Sequence, residues 1–230
     1  MGFSSFVGSC ISACVSAVGS LGSALSSFAS GISAVVGAIC TALPQLGEAL
    51  GQFANGLLKG LGILHPHEDV KDIGERALQA QEKDITADKF DNFDAYIEAL
   101  RSFELDPKKA EKRDQAEKLS AGVGIGTVAL EKRFDCVPGT LNGVWLLPLA
   151  NPEYFTVGRI GALLSDAKFN GDIYAYLDRR LSAGDSSRFM KTLANASSIE
   201  DKQAFYQALD TASDEWKNIR ETLSQKKAQQ

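Results

Sequence analysis

Large apolar residues recur about once per helical turn along the first 64 residues of the chain. The positions between them hold almost only Ser, Gly, Ala and Cys, so each turn carries one bulky side chain on an otherwise small surface. A spacing close to 3.6 residues predicts long amphipathic α-helices with a narrow apolar ridge. The ridge residues that we expect to face a membrane are Phe3, Val7, Ile11, Val15, Leu25, Phe28, Ile32 and Ile39.

Small residues form a second pattern, because many of them recur at every fourth position of the same segment. GxxxG spacings occur at 47–51 and 56–60. Rows of small residues let helix backbones approach closely, either in a bilayer or in a tight bundle. The residues predicted to mediate helix packing or oligomerisation are Gly8, Ser12, Ser16, Ser20, Gly47, Gly51, Gly56 and Gly60.

Proline and glycine predict where this segment is divided. Pro44 is favoured in the first turn of a helix, so a new helix is expected to begin there and to run to about Leu64. An earlier bend at Ser30-Gly31 would fold the preceding residues into a helical hairpin. The expected N-terminal structure is therefore a set of long small-residue-rich helices, arranged as a hairpin.

The rest of the chain has a different composition, rich in Asp, Glu, Lys and Arg. Residues 1–64 hold one acid (Glu48) and one base (Lys59), so the net charge of −5 belongs to residues 65–230. We therefore predict two domains, an uncharged helical segment (1–64) and an acidic α-helical domain (65–230). The predicted fold class is all-α, with about six or seven helices in the second domain.

Capping residues and turns indicate where the helices of residues 65–230 begin. The final helix has the longest regular pattern of apolar positions. Its predicted inner face is Phe205, Leu209, Ala212, Trp216, Ile219 and Leu223. Candidate helix starts lie at Thr86, Asp106, Asp114, Thr156, Asp172 and Ser198.

Charge and motifs argue against several function classes. An acidic domain without a basic stripe does not favour nucleic acid as a partner, since that binding depends on neutralising phosphates. Gly122, Gly124 and Gly126 superficially suggest a phosphate loop, but no GK[ST] sequence follows them. Gly122 and Gly126 lie four residues apart, which instead predicts close helix packing, with the N-terminal rows of small residues as one candidate partner.

The sequence provides no convergent set of acid, base, nucleophile or metal ligand. Cys10 and Cys14 are one turn apart but have no other ligand nearby, so they are interpreted as small apolar residues in a helix interface. Cys136 would need a base as a nucleophile, and only His65 and His67 are available in the whole chain. We predict no enzyme activity, no catalytic residue, no cofactor and no metal.

His65 and His67 lie on either side of Pro66, where the composition changes, and Glu68 and Asp69 follow directly. The simplest interpretation is a linker with incidental histidines. Two other hypotheses are a metal site, because imidazoles beside carboxylates are metal ligands, and a pH sensor, because His changes its charge between about pH 5 and pH 8. Membrane insertion of the preceding segment would need such a trigger.

Interior glycines make the N-terminal segment a weak helix in isolation. Each costs about 0.8–1 kcal/mol relative to Ala, and almost no charge pairs along the segment offset this cost. The segment therefore requires another surface to pack against. The candidate surfaces are lipid, further copies of the segment, another subunit, and the acidic domain of the same chain. The composition resembles that of phage ejection and tape-measure proteins and of the glycine-zipper segments of secreted membrane-acting effectors.

The preferred hypothesis is a membrane-inserting, self-associating helical protein that forms a pore or conduit. The expected partners are a lipid membrane, further copies of the chain, and a protein carrier or neighbouring subunit. The alternative is a structural subunit, a virion component for example, whose N-terminal helices pack into neighbours without lipid. No Lys or Arg precedes Lys59, so a classical signal peptide is not expected, and we predict at least transient membrane association.

Overall fold

The computed structural model describes residues 27–166, 172–196 and 199–228. Within these ranges the regular structure is entirely helical, without strands, which confirms the all-α prediction. The chain divides into two compact units, Met1–Ala129 (unit 1) and Leu130–Gln230 (unit 2). The change of composition at residue 64 therefore lies inside unit 1.

Unit 1 contains five helices and most of a sixth, α6, within which the boundary between the units falls. Their bounds are α1 (Ser27–Ala42), α2 (Pro44–Gly60), α3 (Val70–Glu82), α4 (Phe93–Ser102), α5 (Pro107–Lys112) and α6 (Gln115–Arg133). A 3₁₀ turn at Ala87–Lys89 precedes α4.

Unit 2 contains the last turn of α6, a 3₁₀ turn at Asn142–Trp145 and five further helices. Their bounds are α7 (Leu146–Ala150), α8 (Val157–Asp166), α9 (Ile173–Leu177), α10 (Ala183–Ala196) and α11 (Lys202–Ala228). The described part after residue 65 thus has nine helices, α3 to α11, where the sequence predicts six or seven. Helices α5, α7 and α9 have only five or six residues, too few for a periodic pattern to be visible.

The break at Pro44 is confirmed, because Pro44 begins α2 directly after the single linking residue Leu43. Helix α1 continues through Ser30-Gly31, so the described structure does not divide the segment there. Helices α1 and α2 contact each other on the two sides of Leu43. A hairpin that includes residues before Ser27 lies outside the described residues.

Helix α3 crosses α6 with the two backbones almost in contact. A Cβ atom on Gly74 would collide with the carbonyl oxygen of Lys118, and one on Gly122 would collide with the carbonyl oxygen of Val70. Only glycine at both positions permits this separation. The predicted close packing at Gly122 is confirmed, with α3 as the neighbouring helix.

Capping side chains account for several helix starts. Asp69 accepts a hydrogen bond from the Lys71 N–H (2.8 Å) at the start of α3. Asn92 does the same for α4, accepting from the Ala95 N–H (2.9 Å). The prediction of Thr86 as this cap was wrong, because Thr86 precedes the 3₁₀ turn and makes no capping bond.

Helix α11 forms the centre of unit 2, where it contacts α7, α9 and α10. All six predicted inner positions of α11 are buried, which confirms its periodic pattern. The start predicted at Ser198 lies outside the described residues, and Asp201 caps the helix by accepting from the Ala204 N–H (2.9 Å). Residues 144–149 are buried and form helical turns.

A buried carboxylate connects α11 to the end of α9. The Asp178 side chain is fully buried and accepts hydrogen bonds from Trp216 Nε1 (2.8 Å) and from Arg220 (2.6 Å). Arg180 lies 3.4 Å from its second oxygen. Both Trp216 and Arg220 belong to α11, so one carboxylate fixes the turn after α9 on this helix.

Candidate functional site

The predicted ridge is described at two of its eight positions. Ile32 and Ile39 of α1 are buried, with 2% and 0% of their surface exposed. Phe28 lies in α1, and its side chain is outside the described set. Of the helices that the structure describes, none combines the length and the apolar character needed to cross a membrane. The other ridge residues lie outside the described residues, namely Phe3, Val7, Ile11, Val15 and Leu25.

The predicted packing residues are described at four positions, all in α2, while Gly8, Ser12, Ser16 and Ser20 lie outside the described residues. Gly47 is the tightest, since a Cβ atom there would lie 2.8 Å from Cys40 Sγ and 2.9 Å from Cys40 Cα. This glycine brings the backbones of α1 and α2 together. A Cβ atom on Gly51 would meet Leu119 of α6 at 3.5 Å, which is ordinary contact.

The second GxxxG pair contributes less to the described packing. Gly56 is half-buried, and Gly60 is exposed with no described atom within 4 Å of a Cβ placed there. The 47–51 pair thus packs against the chain itself, while Gly60 at the end of α2 faces open space.

The apolar side of α2 is buried inside unit 1. Leu50, Leu57 and Leu58 have at most 1% of their surface exposed. A Cβ atom on Gly126 of α6 would lie 2.9 Å from Leu58 Cδ1, so the close packing predicted for Gly126 is with the N-terminal segment. The apolar ridge of α2 is therefore covered by other residues of unit 1, among them residues of α6.

Polar contacts hold α2 beside the start of α3. Asn55 donates a hydrogen bond to the Asp69 carboxylate (2.6 Å) and accepts one from the Val70 N–H (2.8 Å). The NH₂ group and the carbonyl oxygen of the Asn55 side chain therefore both form hydrogen bonds with the N-terminus of α3. Separating α2 from α3 would expose buried Leu side chains and break these two bonds.

The linker between α2 and α3 contains both histidines in a tight turn. The Glu68 N–H donates to the His65 carbonyl (3.0 Å), and the His65 N–H donates to the Glu68 carboxylate (2.7 Å). Pro66 occupies the second position of this turn, where its fixed φ is favourable. The turn therefore brings the Glu68 carboxylate back onto His65.

Arg101 of α4 holds the other side of this carboxylate. Its guanidinium donates to both Glu68 oxygens (2.9 and 3.2 Å) and to the Ile63 carbonyl (2.9 Å). Burial raises the pKa of Glu68, but the hydrogen bonds and charge of Arg101 and the His65 N–H together hold it below its ordinary value. The carboxylate is consequently ionised at neutral pH.

The pH-sensor hypothesis for His65 and His67 stays a prediction, and the geometry gives it a direction. Both imidazoles are exposed, and His65 Nδ1 lies 3.7 Å from Glu68 Oε1. Protonation of His65 places a cation beside this carboxylate, which strengthens the linker contact. An exposed pair of this kind contributes about 0–1 kcal/mol.

Unit 2 has a cavity of about 390 Å³ between the starts of α8 and α11, which the sequence did not indicate. Tyr154, Phe155 and Phe205 supply aromatic walls, and the Arg159 guanidinium stacks on the Tyr154 ring at 4.1 Å. The acidic Asp201 in its wall is already used as the cap of α11. The described lining offers binding surface, but no nucleophile paired with a base.

Cys136 lacks the environment of a catalytic thiol. Burial raises its pKa, and the neighbouring carboxylates of Glu131 and Asp135 raise it further. A raised pKa disfavours the thiolate, which is the nucleophilic form.

No protein-family model, curated protein or solved structure matches the chain.

Proposed function

We propose that the protein inserts into membranes and self-associates through its N-terminal helices, forming a pore or conduit. The observation that carries this proposal is that no charged side chain occurs before Glu48, although large apolar residues recur at helical spacing over the same stretch. Charged residues near the centre of a bilayer-spanning helix cost about 2.5–3.5 kcal/mol each. Their absence over this length suits an environment of lipid or of closely packed helices.

Insertion as a group suits this composition better than insertion as single helices. Twenty residues of the segment hold about six ridge residues, each favourable by roughly 0.3–0.6 kcal/mol on an insertion scale. The intervening Ser and Gly residues reduce this gain, so one helix alone is marginal. Copies packed through their small residues would hide the hydroxyls from lipid or direct them to a water-filled lumen.

The contact between α1 and α2 supports this mode of association. Gly47 lets the backbone of α2 approach Cys40 of α1 so closely that an added Cβ atom would lie 2.9 Å from Cys40 Cα. The same small-residue geometry is available between neighbouring copies. Helix α1 itself carries no charged residue over its 16 positions.

Helix α2 packs on other helices of unit 1, and this packing must be released before α2 can enter a membrane. Insertion of α1 and α2 needs release of the Asn55 contacts and of the buried Leu50 and Leu57 surfaces. Insertion that uses the residues before Ser27 alone needs no such release. In either case the acidic remainder of the chain would stay outside lipid and serve assembly or docking on a carrier.

A structural subunit is the alternative function. The burial of the α2 ridge inside unit 1 favours it, because this part of the segment is stabilised by protein contacts rather than by lipid. Such a subunit would give stoichiometric oligomers in detergent-free buffer and would leave vesicles intact.

Dye release from vesicles tests the proposal with a matched pair of variants. The full chain is expected to release dye, and Val15→Asp is expected to reduce release strongly, because a carboxylate on the ridge costs about 2.5–3.5 kcal/mol at a bilayer centre. Val15→Leu keeps the ridge apolar and is expected to release dye like the unaltered chain. Equal release by the two variants, or none from the unaltered chain, would contradict membrane insertion.

A further inference from the structure

The turn between α2 and α3 gathers three metal-ligating side chains that the proposed function does not use. His65, His67 and Glu68 each offer one ligand atom, and these atoms lie within 4.8 Å of one another. The His65 and His67 rings are 5.7 Å apart between centroids and tilted by 43°. Both imidazoles are exposed, so their rings have room to turn toward a shared ion, from which zinc ligands lie about 2.0–2.2 Å.

The turn and Arg101 position the Glu68 carboxylate beside the two histidines. The turn hydrogen bond from the Glu68 N–H to the His65 carbonyl (3.0 Å) closes residues 65–68, with Pro66 in a favoured position. The Glu68 carboxylate is then fixed by Arg101 and by the His65 N–H, leaving 11% of its side chain exposed. A carboxylate oriented by such outer hydrogen bonds is a feature of metal sites in proteins.

The charge near the turn is compatible with a cation. Arg101 is the positive group that faces Glu68, and it is itself paired with the Glu98 carboxylate at 2.5 Å. Two carboxylates therefore surround one guanidinium. The two imidazoles are neutral when they act as ligands, so a divalent ion would meet no net positive charge.

We propose that His65, His67 and Glu68 bind one divalent transition-metal ion of the zinc class. Two imidazoles and one carboxylate suit Zn²⁺, Co²⁺, Ni²⁺ or Cu²⁺ rather than Mg²⁺ or Ca²⁺, which prefer oxygen ligands. A water molecule would complete a tetrahedral set. The bound ion would tie together the linker that joins the uncharged helices to α3, so metal would stabilise the attachment of α2.

Titration of the full, untagged chain with CoCl₂ and ZnCl₂ tests the site. We expect one equivalent of metal to bind by isothermal titration calorimetry, and a rise in the thermal unfolding temperature. Bound Co²⁺ should show ligand-field bands without a thiolate-to-cobalt charge-transfer band, which separates this site from any site formed by Cys10 and Cys14. A thiolate band, or no binding, would overturn the proposal.

His67 gives the cleanest variant, because the contact that the described structure gives for its side chain is with the His65 ring. His67→Ala and His67→Gln are both expected to weaken metal affinity at least about tenfold while keeping the helical circular dichroism of the unaltered chain. The chain has only two histidines, so no other imidazole can substitute. Unchanged affinity in either folded variant would show that the metal binds elsewhere. Dye release without metal tests the proposed function separately.

Discussion

Two helix contacts, one in each unit, are made by opposite means. In unit 1, α3 and α6 meet at Gly74 and Gly122, where each backbone touches the other without intervening side chains. In unit 2, α9 and α11 are connected by large and polar side chains, with Asp178 buried between Trp216 and Arg220. The first contact is possible because glycine has no Cβ atom. The second depends on the polar atoms of the Asp178, Trp216 and Arg220 side chains.

The two helix contacts are weakened by different kinds of substitution. A backbone crossing cannot absorb an added methyl group, because carbonyl oxygens do not move aside as flexible side chains do. A buried carboxylate has the opposite weakness, since its removal leaves hydrogen-bond donors without their acceptor. Substitutions at Asp178, Gly122 and Glu131 test these expectations.

Asp178→Ala should have the largest effect. The substitution removes the acceptor of both Trp216 Nε1 and Arg220, and breaking a buried pair in this way costs about 3 kcal/mol or more. Asp178→Asn keeps an acceptor and should lose clearly less. Urea unfolding followed by tryptophan fluorescence measures the change, since both tryptophans, Trp145 and Trp216, lie in unit 2. Equal midpoints for Asp178→Ala and the unaltered chain would contradict the role of this carboxylate.

Gly122→Ala should destabilise unit 1 by about 2 kcal/mol, although Ala is the better helix former. The new methyl group collides with the Val70 carbonyl oxygen. Gly161→Ala in α8 is the matched control, because no described atom lies within 4 Å of its added Cβ, and it should be neutral or stabilising. Hydrogen–deuterium exchange of peptides from α3 and α6 would report the loss. Equal protection in the two variants would refute a backbone crossing.

Glu131→Gln should have the smallest effect, visible as a change in pH dependence. Burial raises the pKa of Glu131 above its ordinary value of 4.5, although the N–H groups of Leu141 and Gly139 oppose this. The stability that Glu131 contributes is thus complete below pH 4.5 and is lost as pH rises through the raised pKa. Gln keeps an acceptor for both N–H groups, so the stability of the variant relative to the unaltered chain should increase from pH 4 to pH 7. A constant difference in urea midpoints over this range would argue against the raised pKa.

Much of the helical framework was predictable because its signals are local. Pro44 starts α2, and Asp106, Asp114 and Asp172 cap helices at or next to their predicted starts. The buried face of α11 follows its apolar period. The helix predicted to start at Asp172 is present as α9, but it ends at Leu177, and the chain then turns through Arg179 at φ +54°. Helix α7 was not predicted, because five residues are too few to display a helical period.

The functional residues were less predictable because their contacts join distant parts of the chain. Gly122 was identified as a packing residue from its spacing, but its neighbour Val70 lies about fifty positions earlier. The Asp178 network spans 38 to 42 positions, and no short motif marks it. His65 and His67 were visible in the sequence, whereas the return of the Glu68 carboxylate depends on the turn and on Arg101.

A lipid-sensitive fluorophore placed in each part of the chain tests the proposed function most directly. One variant keeps only Cys14, in the uncharged segment, and its partner keeps only Cys136, in unit 2, with the other cysteines changed to Ser. On addition of vesicles we expect the label at Cys14 to brighten and to be quenched by spin-labelled lipid acyl chains, while the label at Cys136 does not respond. Unchanged fluorescence of the label at Cys14 on addition of vesicles, in a chain that remains folded, would contradict membrane insertion and favour the structural subunit.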